Sequence, residues 1–259
     1  MKHLLVCLAS FLALGTLHAQ EPADYVNPFI GTTNFGTCNP GAVCPNGMMS
    51  VVPFNVMGSE DNKYDKDARW WSTPYDYTNS FFTGFAHVNL SGVGCPELGS
   101  LLLMPTTGKL DVDYRNYGSK YEKENATPGY YTISLTKYNI LAEATATPRT
   151  GLSRFTFPKG ESNILLNLGE GLTNETGAFM RRVSDCEVEG MKVLGTFCYN
   201  PQAVFPIYFV MRINKAPKAT GYWKKQRPMQ GVEAEWDKDQ GKQGLKDYLT
   251  EDKDNHSGG

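Results

Sequence analysis

Apolar and polar residues alternate with a period of two through much of this chain. Tyr131, Ile133 and Leu135 alternate with Thr132, Ser134 and Thr136, the pattern of a strand with one face buried. Asn139 turns the chain into residues 140–147, rich in Ala and Thr. A Pro148 to Gly151 turn leads into a strand over 153–157, with Phe155 and Phe157 on one face. Residues 163–168 form a short apolar run suited to an inner strand. Segments 183–188 and 191–197 flank Gly190 and predict a hairpin that turns there. Phe205, Ile207, Phe209, Met211 and Ile213 share one face of a further strand, which Pro206 places near an edge or a start. Residues 48–57 are apolar enough for a strand, whereas 24–47 read as loop. The segments around Trp223 and around Val232 to Trp236 can still form strands. Short strands between Gly, Pro and Asn turns predict an all-β chain folded as a β-sandwich. Residues 237–259 are mostly charged, carry too little apolar surface to offset the entropy of ordering, and are predicted to be a disordered tail.

Composition narrows the partners. The chain has 259 residues and a formal net charge of −2, which gives no reason to expect nucleic acid or an anionic membrane. Its length suits one sandwich domain over 20–236. Residues 1–19 read as a secretory signal peptide. Lys2 and His3 precede an apolar run over 4–14, and Ala19 precedes the expected cut at Gln20. No later stretch is long and apolar enough for a membrane span. Cys7 lies too early for lipoprotein acylation, so the expectation is export to the periplasm, with outer-membrane association as the alternative. An exported compartment permits disulfides. Cys38 and Cys44 bracket a Pro-Gly turn, and Cys186 and Cys198 bracket the Gly190 hairpin. Either pair can close a loop, the spacing does not choose between them, and Cys95 is then the odd thiol. The absence of a C-x-x-C motif, with one histidine in the expected folded region, argues against zinc.

Chemistry concentrates over residues 83–99. Glycines 84, 92, 94 and 99 punctuate a stretch that carries His87, Asn89, Ser91, Cys95 and Glu97. Such a segment is predicted to be neither a regular helix nor a continuous strand. An imidazole, an amide, a hydroxyl, a thiol and a carboxylate on a bent backbone suggest a ligand-facing loop on a rigid scaffold. The competing reading is a connection whose polar groups satisfy its own backbone. Upstream, Arg69, Trp70 and Trp71 open an aromatic cluster. Adjacent strand residues point to opposite sides, so one tryptophan can stand out as a sugar platform, or both can be buried.

Residues 84–95, running into Leu103-Met104-Pro105-Thr106-Thr107-Gly108, resemble the N-terminal domain of family 92 glycoside hydrolases. Asn27-Pro28-Phe29-Ile30-Gly31-Thr32 resembles that family's opening, and residues 39–48 its Pro-Gly-Ala loop, with Asn46 where phenylalanine is usual. The blocks at 124–131 and 144–151 follow in the family's order, and the likeness runs over 24–213. The resemblance implies a secreted bacterial exo-α-mannosidase, inverting and calcium-dependent, acting on mannose-containing glycans. It implies a sandwich of the galactose-mutarotase-like supersandwich type. It also implies that the catalytic carboxylates and most calcium ligands lie in a C-terminal α/α-barrel domain that does not follow here, so that this chain alone is inactive. No residue of this chain is then catalytic. Carried onto matching positions, Trp70, Trp71, His87, Asn89 and Glu97 are candidates for contact with sugar. Arg69, Phe85, Ser91 and Cys95 are candidates for the interface with the barrel. Asn89 stands where many members carry a second histidine. Without the barrel, Trp70 or Trp71, Phe85 and Leu90 are expected to be exposed. The alternative is a stand-alone carbohydrate-binding sandwich without catalysis, and a purely structural envelope domain is a third reading.

Overall fold

The computed structural model describes residues 21–33, 36–58, 73–92, 98–172, 174–195, 205–225 and 232–235. The signal segment and the charged tail thus lie outside the described residues. Among those described, the chain forms fifteen strands, a 3-10 turn at Pro22–Tyr25 and one turn of helix, α1, at Tyr114–Tyr117.

The first sheet holds β1 (Ala42–Val43), β2 (Ser50–Phe54), β4 (Gly84–Asn89), β5 (Leu98–Thr107) and β10 (Ser162–Asn167), in the order β1-β2-β4-β5-β10. Every pairing is antiparallel. The run read as an inner strand, β10, instead lies at the end of the sheet. It turns Leu165 and Asn167 inward while Ile164 stays 40% exposed, so only one of its faces needs apolar residues.

The second sheet holds β3 (Phe81–Phe82), β6 (Ser119–Thr127), β7 (Tyr130–Leu135), β8 (Ile140–Ala146) and β9 (Gly151–Thr156), in the order β3-β6-β7-β8-β9. Strand β7 follows its sequence pattern: Tyr131, Ile133 and Leu135 are fully buried and the residues between them are not. Asn139 makes the β7–β8 turn in the left-handed region (φ 51°), which its short amide side chain tolerates.

The two sheets pack face to face. Val51, Phe85, Met104 and Leu165 of the first meet Phe82, Tyr131, Ile133, Leu135, Ile140, Ala142 and Ala144 of the second. This is the β-sandwich that the strand pattern predicts. Phe85 stands at its centre, with ring centroids 5.0 Å from Phe82, 6.0 Å from Tyr131 and 6.4 Å from Phe155. The expectation that Phe85 is exposed and awaits a partner domain is therefore corrected. Its ring has no solvent exposure, because β4 directs it between the sheets while the next residue, Ala86, faces the other way.

The outer face of the first sheet is also covered. Phe54, Val56, Met57, Ala86, Leu102 and Leu172 form a second cluster there. As a result β5 is buried from Leu98 to Thr106.

A third sheet holds β11 (Asn174–Ser184), β12 (Glu187–Gly195) and β13 (Phe205–Arg212). The hairpin turns at Asp185 and Cys186, not at Gly190. Gly190 lies inside β12, where a Cβ would sit 2.1 Å from the Phe179 carbonyl oxygen and 2.9 Å from the Phe209 ring. That glycine serves close packing rather than a turn. Ile207, Phe209 and Met211 share the half-buried face of β13 as expected, and β13 ends its sheet as Pro206 requires. Leu194 docks this sheet against Val88 and Leu98. Strands β14 (Tyr222–Lys225) and β15 (Val232–Glu235) pair with each other. Cys38, Cys44 and Cys186 are free thiols, so the Cys38–Cys44 bridge is not formed, and Cys95 and Cys198 lie outside the described residues.

We expect Phe85→Ala to lower unfolding stability by about 3–5 kcal/mol, since it opens a cavity between the sheets. Leu152→Ala, at a site 63% exposed, should change it by less than about 0.5 kcal/mol. Urea denaturation of both variants checks this, and comparable losses would contradict the placement of Phe85.

Candidate functional site

The glycine-punctuated stretch is more regular than its sequence suggests. It is strand as far as Asn89 and strand again from Leu98, so only residues 90–97 connect the two. Its irregularity lies in the backbone of the strands. Val88 (φ 59°), Leu98 (φ 62°), Gly99 (φ 62°) and Leu101 (φ 55°) all adopt left-handed conformations. Such values are rare for branched residues and cost about 1–3 kcal/mol each, which surrounding contacts must offset. The β4–β5 register slips between Phe85 and His87, and such bulges re-aim side chains.

His87 and Asn89 hold this geometry. The His87 Nδ1 donates to the Leu101 carbonyl oxygen at 2.7 Å, across the bulge. Burial lowers the imidazole pKa, and the Leu101 and Phe85 carbonyls oppose that only in part, so the ring is neutral. Asn89 Nδ2 donates to Ser50 Oγ (3.0 Å) and to the Ala86 carbonyl oxygen (3.1 Å), and its backbone N–H donates to Ser50 Oγ (2.9 Å). The Asn89 Oδ1 is buried and accepts no hydrogen bond among the described residues.

The connection itself is tied down on two sides. Asn39 Nδ2 donates to the Leu90 carbonyl oxygen (3.4 Å), and the Gly92 N–H to that of Thr37 (2.7 Å). On the other side, the Leu172 N–H donates to the Leu98 carbonyl oxygen (3.2 Å). Lys192, with no solvent exposure, reaches the Glu170 carbonyl oxygen at 2.8 Å. Leu90 is half-buried against the Val88–Leu98–Leu194 cluster rather than exposed, whereas Ser91 is exposed. Arg69, Trp70, Trp71, Cys95 and Glu97 lie outside the described residues. Of the nine candidates, the structure therefore brings His87 and Asn89 together as braces at the mouth of β4 and β5, and sets Phe85 in the core.

Two carboxylates escaped the sequence reading. Glu124 sits at a bulge in β6, between Glu122 and Asn125, where Lys123 takes φ 53°. The bulge directs Glu124 toward Tyr75, Tyr121 and Tyr131, and the Tyr131 hydroxyl donates to its Oε1 at 2.6 Å. Burial raises its pKa, and the hydrogen bond from the Tyr131 hydroxyl opposes the shift. Burial, and then the nearby Glu124 charge, push the Tyr75 and Tyr131 hydroxyls far above their usual range. Glu143, by contrast, lies on the outer face of β8. It accepts from Arg154 Nε (2.5 Å), from Arg154 Nη2 and from the Tyr130 hydroxyl. Those bonds, Arg154 first, hold its carboxyl down at about 2. The first carboxylate faces into the sandwich and the second faces out, so the two do not flank one bond as glycoside hydrolysis requires. Among the described residues no three His, Cys, Asp or Glu side chains converge as a metal site. No helix among them is long and apolar enough to cross a membrane.

Comparison with known proteins agrees with this architecture. Residues 25–254 match the model of the glycosyl hydrolase family 92 N-terminal domain. An uncharacterized secreted glycosidase of Arthroderma benhamiae is 33% identical over 175 residues, which cover 60% of this chain and 21% of that protein. A family GH92 α-mannosidase from Bacteroides thetaiotaomicron, solved with mannoimidazole, superposes with a TM-score of 0.66 at 28% identity, covering 85% of this chain and 30% of the mannosidase. An inverting mannosidase of the same family and organism shares the fold at a TM-score of 0.55 and 19% identity, over 83% of this chain and 29% of that one. The chain thus spans less than a third of the length of each of these relatives.

Two outcomes follow from the buried polar groups. Asn89→Ala removes the side-chain donor to the Ala86 carbonyl and one of the two Asn89 donors to Ser50 Oγ, and should cost about 1–3 kcal/mol, read as a lower urea midpoint. For Glu124, the folded state favours the protonated form. Its contribution to stability is complete below the ordinary pKa of 4.5 and is lost as pH rises through the raised folded value. Glu124→Gln should therefore gain stability relative to the parent as pH rises from 4.5 to 7. Parallel stability curves over that range would show that Glu124 titrates normally.

Proposed function

Since the chain belongs to glycosyl hydrolase family 92 through that family's N-terminal domain, we propose that it is the β-sandwich of a calcium-dependent exo-α-mannosidase. The enzyme removes terminal α-mannosyl residues from glycans with inversion. The observation that carries this reading is the family match over 25–254, joined to superposition on solved α-mannosidases. In this reading the domain supplies one wall of the sugar pocket through the connection between β4 and β5. Rigid strands carry that connection, which suits a loop that must hold a ligand surface in place.

The roles divide by what each side chain has left to offer. His87 and Asn89 have committed donors and serve to hold the loop's shape. Ser91 and the described end of the loop face outward, toward a partner domain. Trp70 or Trp71 stacks on the sugar ring, Glu97 accepts from its hydroxyls, and Arg69 and Cys95 border the interface. The general acid and base, and the calcium ion, belong to an α/α-barrel domain. Nothing among the described residues fits calcium, since no cluster of carboxylates converges there. The signal segment sends the protein to the periplasm.

The pure chain should release no mannose from an aryl α-mannoside, with or without added calcium, and should bind mannobiose only weakly, because one wall does not make a pocket. Calcium-dependent hydrolysis by the chain alone would place an acid and a base within it and overturn this division of labour.

A further inference from the structure

We propose that an open cleft at the Thr107 end of β5 binds the anionic group of an acidic saccharide. Strand β5 spans ten residues, so its ends lie about 30 Å apart. The β4–β5 connection leaves from the Leu98 end. At the other end, the chain after β5, α1, the start of β6 and the β7–β8 turn enclose a cleft of about 930 Å³.

The lining is strongly one-sided in charge. Lys109, Arg115, Lys120 and Lys137 face the cleft against the single acid Asp111, in a chain whose net charge is −2. Two of these cations are already committed. Arg115 forms a fork with Asp113, and Lys137 donates to the Asn116 carbonyl oxygen while its ammonium lies 5.3 Å from the Tyr138 ring centroid. Asp111 is engaged as well, accepting the Asp113 N–H at 2.9 Å. Lys109 and Lys120 have no ion-pair partner among the described residues, and both are exposed. A cleft that concentrates positive charge over low-dielectric walls focuses its field on an anion.

The walls are built in advance. The Lys137 N–H donates to Ser119 Oγ (3.1 Å), Ser119 Oγ donates to the Lys120 carbonyl oxygen (2.6 Å), and Thr136 donates to that same carbonyl through both N–H and Oγ1 (3.0 Å each). The buried Tyr138 hydroxyl is fixed to the Tyr117 carbonyl oxygen at 2.8 Å. The base is fixed, so the ordering left to do on binding falls on the two exposed lysine side chains. The charge calls for a carboxylate or a phosphate. That the anion is carried on a saccharide rests on the glycosidase reading given above.

The test is a titration of the whole chain with trigalacturonate, mannotriose and inorganic phosphate, followed by calorimetry and by amide NMR shifts. We expect trigalacturonate to bind, with shifts at residues 109–120 and 136–138, and phosphate to compete with it. Mannotriose should produce no shifts there. Lys109→Ala with Lys120→Ala should weaken trigalacturonate binding by about tenfold or more, and raising the salt from 50 to 300 mM should weaken it further. The exposed sites keep the fold, which an unchanged urea midpoint confirms, and Lys109→Arg with Lys120→Arg should restore binding. Equal binding of mannotriose, an unaffected double variant, or binding of phosphate without trigalacturonate would each overturn the proposal. The mannoside assay reads a neutral sugar, so failure of this site leaves that result to stand or fall separately.

Discussion

Strand β5 is covered on both faces, and this double burial determines where almost everything else lies. Met104 turns into the sandwich core, Leu102 turns to the opposite cluster, and Leu98 meets Leu194 from the third sheet. A strand so enclosed must be apolar nearly throughout, which accounts for the run Leu101-Leu102-Leu103-Met104. It also requires its neighbour β4 to turn Phe85 one way and Ala86 the other. The connection between them is consequently suspended from two strands that have no freedom to shift. Gly99, in the left-handed region, fits the start of β5 beneath Leu172, where a Cβ would lie 3.0 Å from the leucine.

The polar groups near this junction follow from the same enclosure. A buried donor left unpaired costs more than its hydrogen bond returns, and three side chains here make such bonds. His87 spans the bulge to Leu101, Asn89 joins β4 to Ser50 of β2, and Lys192 fastens the third sheet to the turn at Glu170. His87 and Asn89 look like site residues in the sequence because imidazole and amide groups serve both purposes. Their commitment to carbonyls tells the two uses apart.

Local pattern revealed much of the fold and little of the site. The inward face of β7 and the half-buried face of β13 could be read directly, since a strand with one buried face writes its period into the sequence. Gly190 misled because a glycine forced by close approach of Phe179 and Phe209 resembles a glycine forced by a turn. The run that became β10 misled because an apolar stretch of strand length does not say whether one neighbour or two will flank it. Phe85 looks exposed in the sequence because its glycine-rich surroundings suggest a loop, whereas its cover comes from Tyr131 and Phe155, far along the chain. Glu124 was invisible for a different reason. Strand β6 reads Ser-Lys-Tyr-Glu-Lys-Glu-Asn-Ala-Thr, almost wholly polar, and the bulge that turns one of its carboxylates inward has no local signature.

The central claim is that β4 and β5 form the rigid frame of the domain, and that the candidate loop is carried on it. Native-state hydrogen exchange tests this most directly. We expect backbone amides of residues 84–89 and 98–106 to exchange slowest of all, through global unfolding alone, and those of the outlying β13 to exchange sooner. Exchange of β4 and β5 as fast as that of β13 would contradict it.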